Sequence, residues 1–172
     1  MYLSSRWLPF GMIVFGVALV ISAVAFPAIF RAKSESSSMI IPKQVGGLFL
    51  VSEANGSAAL REFTQLHGKS FSILSGSKAS YGAGDQVTLW VAGTASITDT
   101  RQMLEAMRDK IAEGNSPFQP AGIRQDGNRI IYLLDGMGQK HYYFQSGKYL
   151  VWLAANPQLA DRALKQVLND YR

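Results

Sequence analysis

Residues 140–156 read KHYYFQSGKYLVWLAAN, and the fold turns on how this stretch is read. Two aromatic-rich runs, HYYFQ and YLVWLA, flank Ser146 and Gly147, which predicts a β-hairpin with those two residues as its loop. Phe144 then pairs with Tyr149, Tyr142 with Val151, and His141 with Trp152. Side chains alternate across a strand. One face therefore carries Tyr142, Phe144, Tyr149, Val151 and Leu153; the other carries His141, Tyr143, Gln145, Lys148, Leu150 and Trp152. The first face is uniformly apolar and is expected to pack on helices. The second is mixed. Its two readings are a solvated face with aromatic cross-strand pairs and a surface that meets a partner or ligand, since an open Trp beside Tyr and Leu is a patch monomers seldom expose. His141, Tyr143, Lys148, Leu150 and Trp152 are the candidate contact residues.

The same patterning extends outward from this hairpin. GLFLVSE (47–53) and QVTLWVA (86–92) read as strands, and 69–81 alternates well enough for a third. Asp126 followed by Gly127 signals another hairpin, so that 121–154 forms a meander. Ser57 is a good N-cap for a helix over AALREFTQLH, with Ala59, Leu60, Phe63 and Leu66 as its stripe and His67 in its last turn. A second helix starts near Thr98 or Asp99, carries Met103, Leu104, Met107 and Ile111 on one face, and ends at Gly114. A third opens at Asn156 and Pro157, as N-cap and first helical residue, and presents Ala160, Ala163, Leu164, Val167, Leu168 and Tyr171. Three segments repeat a strand, small residues and an amphipathic helix, with Trp90 and Trp152 at equivalent places. The expected fold is α+β: an antiparallel sheet with about three helices packed on one face, either ferredoxin-like or built from duplicated strand-helix units.

Residues 7–30, WLPFGMIVFGVALVISAVAFPAIF, contain no charge. As a helix this stretch would exceed the roughly 30 Å hydrocarbon core of a bilayer. A cleaved leader is the competing reading, with Ala23-Val24-Ala25 as its A-x-A site, but the apolar run continues to Phe30. The expected organisation is a tail (1–6), a transmembrane helix (7–30), a Ser-rich linker (31–44) and a globular domain (45–172). The net charge of +5 includes four basic residues beside the apolar run, Arg6, Arg31, Lys33 and Lys43, which suit anionic headgroups. The remainder is close to neutral, which argues against nucleic acid as a ligand. A short basic tail before a signal-like segment places the domain outside the cytoplasm, on a bacterial inner membrane.

Patterns for catalysis are sparse. The two histidines, His67 and His141, lack metal-ligand spacing, and the chain has no cysteine. No G-x-S-x-G elbow or phosphate-binding glycine loop occurs, and Asp85, Asp126 and Asp135 sit beside glycines as turn residues do. No cofactor is expected. The expected function is therefore that of a non-enzymatic, membrane-anchored accessory or assembly subunit of a larger membrane complex, with the lipid bilayer and other membrane subunits as partners. The alternative is a tethered ligand-binding or sensing module using the Tyr143 and Trp152 face or a pocket between sheet and helices; an enzyme ranks third. In architecture alone the plan is similar to the single-pass platform proteins of pilus and secretion systems, although the coiled coil that often follows their anchor is missing.

Overall fold

The chain divides into Met1–Ser38 and Met39–Arg172. The structure, a computed structural model, describes residues 39–56, 59 and 73–172. Eight strands and two helices follow in order: β1 (Gln44–Val45), β2 (Leu48–Asn55), β3 (Ile73–Tyr81), β4 (Val87–Thr94), α1 (Ile97–Ala112), β5 (Phe118–Asp126), β6 (Arg129–Gly136), β7 (Gln139–Ser146), β8 (Tyr149–Ala155) and α2 (Ala160–Asp170). All strands join one sheet in the order β1-β2-β3-β4-β8-β7-β6-β5, and every pairing is antiparallel. Two successive four-stranded runs are thus sutured along β4 and β8, and each run is followed by a helix. Register shifts in β2, β3 and β5 bend the outer strands, because the extra residue in a bulge increases local twist.

Alternation along the strands makes two cores. On one face Val87, Leu89 and Val91 of β4, Tyr142 and Phe144 of β7, and Val151 and Leu153 of β8 pack under Ala160, Ala163, Leu164 and Val167 of α2. On the other face Ala92, Tyr143, Leu150 and Leu134 pack under Met103, Leu104, Met107 and Ile111 of α1. Helix α1 starts where short polar side chains favour it: Ser96 caps Asp99 N–H at 3.1 Å, and the Thr94 and Thr100 hydroxyls share a bond of 2.7 Å. The expected stripe, Met103 to Ile111, is the buried one. Helix α2 starts three residues after the expected position, because Asn156 to Leu159 form a separate turn closed by Leu159 N–H to the Asn156 carbonyl at 2.9 Å.

The α+β expectation is corrected in three respects. The body is mostly an eight-stranded antiparallel sheet rather than a small ferredoxin-like one. Among the described residues there are two helices rather than three, besides the single helical residue Ala59, and they cover opposite faces rather than one. The physical reason is that both faces of β4, β7 and β8 are apolar enough to need cover. The helix expected over 58–67 lies outside the described residues apart from Ala59.

The two described helices do not follow the placement that a symmetric pair of duplicated strand-helix units would give. Trp90 of β4 sits opposite Trp152 of β8 in an antiparallel pair, so a local twofold relating those strands stands normal to the sheet. It would put both following helices on one face, and they lie on two.

The opening hairpin is shifted as well. Its turn is Gly147 and Lys148, and Ser146 faces Tyr149, so Phe144 pairs with Val151 and Tyr143 with Trp152. Gly147 has φ +57°, a conformation that glycine adopts without a Cβ penalty, and this pulls the turn one residue onward. The pairing slips by two, an even number, so each side chain keeps its predicted face.

The membrane assignment is not supported and is withdrawn. Among the described residues no helix is long and apolar enough to cross a bilayer. The transmembrane helix expected over 7–30, and the single-pass location that rested on it, lie outside those residues.

Candidate functional site

The mixed face of the β7–β8 hairpin lies under α1. His141 is 4% exposed, Tyr143 1% and Leu150 4%, while Trp152 is half-buried and Lys148 exposed at the turn. Of the five candidate residues, then, four belong to one packed layer and only Lys148 reaches solvent freely. Tyr143 and Trp152 belong to a cross-strand row, Lys78, Trp90, Trp152, Tyr143, Tyr132 and Ile123, running over β3, β4, β8, β7, β6 and β5. Tyr143 stacks between Tyr132 at 4.8 Å and Trp152 at 5.4 Å. Lys78 lies over the Trp90 ring at 5.6 Å, a cation–π contact. Burial raises the Tyr143 phenol to about 12, with Tyr132 adding to the shift. The Trp90 indole nitrogen is buried without a hydrogen-bond partner.

His141 is the polar centre of this layer. Its Nδ1 faces the Trp152 indole N–H at 3.2 Å and its Nε2 faces the Gly136 carbonyl at 3.0 Å. Phe118 packs edge-on against both rings, at 4.7 and 5.1 Å. Burial lowers the imidazole pKa, opposed in part by the Gly136 carbonyl and by Asp135. With both nitrogens committed and the ring enclosed, His141 has neither a free lone pair nor access to a substrate. Gln145 is likewise satisfied internally, donating to the Ile97 carbonyl at 2.8 Å and the Gly147 carbonyl at 2.9 Å.

Open apolar side chains lie at both ends of the sheet, Phe49, Val51 and Leu74 on β2 and β3 and Ile123 and Ile130 on β5 and β6. On the α1 side Ile123 is 68% and Ile130 49% exposed, and they flank half-buried Tyr132, which is paired with Ile123. Strand β5 is the last in the sheet, with no neighbour on its outer edge among the described residues. On the α2 side the same strands floor a cleft of about 320 Å³, lined by Arg124, Asp135, Lys140, Tyr142, Pro157 and Asp161 among others. Two ion pairs rim it: Lys140 with Asp135 at 2.7 Å, and Arg124 with Asp161 at 3.4 Å. None of these cleft residues was singled out as a ligand by sequence, because they come from β5, β6, β7 and the start of α2 and share no spacing.

Among the described residues no group of three or more His, Cys, Asp or Glu could hold a metal ion. Comparison with protein-family models, curated proteins and solved structures finds no match.

Proposed function

We propose that the protein acts by contact rather than catalysis, as a non-enzymatic accessory or assembly subunit, and that its docking surface is the β5–β6 end of the sheet. One observation carries this: the central strands are covered on both faces, while Ile123 and Ile130 stand open together on a strand pair that ends the sheet. Exposed apolar side chains grouped on one face favour a protein partner with apolar groups of its own. Pro120 and the register shift between Pro120 and Gly122 interrupt the outer edge, which disfavours continuous strand addition and leaves side-chain contact as the mode of docking. The buried, internally bonded state of His141 further favours a structural role for the layer under α1.

The test is site-specific photocrosslinking of the full-length protein in its native cells. A photoreactive residue at Ile123 or Ile130 is expected to give a discrete adduct with another protein that the same group at Lys148 or Met137 does not give. Ile123→Asp should abolish the adduct formed from position 130. Equal labelling at all four positions, or an adduct indifferent to Ile123→Asp, would count against this surface.

A further inference from the structure

The cleft under the opposite face of the same hairpin has features that packing alone does not require. Tyr142 is 4% exposed and its ring belongs to the α2 core, yet it lines the cleft, and among the described residues no group hydrogen-bonds its hydroxyl. That oxygen is not among the polar atoms sealed from solvent, so it opens on the cleft. Burial raises its pKa, with Asp161 adding and Arg124 and Lys140 opposing, and these charged groups of both signs line the same cleft. The start of α2 adds to the wall: its N-cap is Leu159, which makes no side-chain cap bond, leaving first-turn N–H groups without a side-chain acceptor.

The charges narrow the chemistry. Arg124 and Lys140 balance Asp135 and Asp161 in sign. A simple anion entering between them meets two carboxylates, and a simple amine meets two cations. A molecule carrying both charges meets a partner for each. The Arg124 to Asp161 pair is long, 3.4 Å, with both side chains largely solvated, so it contributes little by itself and opens readily. A ligand carboxylate on Arg124 and a ligand ammonium on Asp161 would replace one loose pair with two charge-assisted bonds, with the Tyr142 hydroxyl as the third contact. A volume near 320 Å³ lies at the small end of ligand pockets. We infer that the cleft between β5, β6, β7 and the start of α2 is a binding site for a small zwitterion of the α-amino acid class, held by Arg124, Asp161 and the Tyr142 hydroxyl. Ile123 and Ile130 lie on the other face, so this site and the docking surface stand or fall separately.

The experiment is calorimetric titration of the full-length protein with the standard α-amino acids, using acetate, methylammonium and inorganic phosphate as single-charge probes. At least one amino acid is expected to bind saturably, with acetate and methylammonium each at least about tenfold weaker, the equivalent of one lost charge-assisted contact. Tyr142→Phe keeps the ring and should weaken binding by about tenfold. Arg124→Gln and Asp161→Asn, both at solvated positions that leave the core intact, should each weaken it at least as much. Binding of acetate or phosphate as tightly as any amino acid would overturn the inference. So would the absence of amino-acid binding, or affinity unchanged in Tyr142→Phe and Arg124→Gln.

Discussion

The Trp152 indole N–H donates to Nδ1 of His141 across 3.2 Å, and this bond sets the protonation of the imidazole. An indole nitrogen can only donate, so Nδ1 must accept, and the ring proton sits on Nε2, donating to the Gly136 carbonyl at 3.0 Å. A second proton would set two N–H groups against each other inside an aromatic box. The pKa of His141 is lowered by burial, so the native state binds fewer protons than the unfolded chain. Stability is then fully present above the ordinary histidine value of about 6.5 and is lost as pH falls from there through the native value. The urea midpoint should drop between about pH 7.5 and pH 5. His141→Phe should flatten that drop. It should also cost about 1–3 kcal/mol at neutral pH by leaving the indole without an acceptor.

Arg129 fastens the end of α2 to the sheet. Its Nη1 donates to the Leu168 carbonyl at 3.0 Å and to the Tyr171 carbonyl at 2.6 Å, while its guanidinium pairs with Asp126 and lies over Phe144 at 5.8 Å. A cation at a helix C-terminus meets unsatisfied carbonyls and a favourable dipole. Arg129→Met should preserve the stem packing yet cost about 2 kcal/mol. Amide exchange in the last turn of α2 should accelerate well before that of the β4–β8 seam.

Two tyrosines hold the segment that leads into β1. Tyr81 donates to the Pro42 carbonyl at 2.9 Å and Tyr171 to the Ile40 carbonyl at 2.7 Å. Each substitution to Phe should cost about 1 kcal/mol. The double variant should expose the chain around Ile40 to limited proteolysis while the rest of the body resists; protection equal to that of the parent would refute this role.

Glycines separate backbone strain from crowding. Gly147 has φ +57° with nothing within 4 Å of an added Cβ, so Gly147→Ala should cost about 1 kcal/mol through conformation alone. At Gly93 an added Cβ would run into Ser75 Oγ, and overpacking there should cost about 1–3 kcal/mol. Adding Ser75→Ala should restore much of the loss at Gly93 and nothing at Gly147, as read from thermal midpoints.

Much of the body was legible because period-two alternation survives an error in the turn. The hairpin at 146–148 closes one residue later than expected, yet Tyr142, Phe144, Val151 and Leu153 still land together in the α2 core. The opposite placement of the helices was not legible. Alternation says which residues share a face, but not which face a following helix climbs onto. The polar residues of the mixed face suggested solvent, yet His141 finds its partners inside and Gln145 bonds to the backbone of Ile97. The cleft was hidden for a different reason: Arg124, Lys140, Tyr142 and Asp161 converge only after β5, β7 and α2 are brought side by side.

The two cores also differ optically. Trp90 and Trp152 both lie in the α1 layer, whereas the α2 layer holds tyrosines and phenylalanine. Within the described body, emission excited at the red edge of indole absorption therefore reports the α1 side alone. Far-ultraviolet dichroism sums the helices on both sides. If the two signals decay along different denaturation curves, the sheet is the shared wall of two separately melting halves; if the curves superimpose, it welds them into a single cooperative unit.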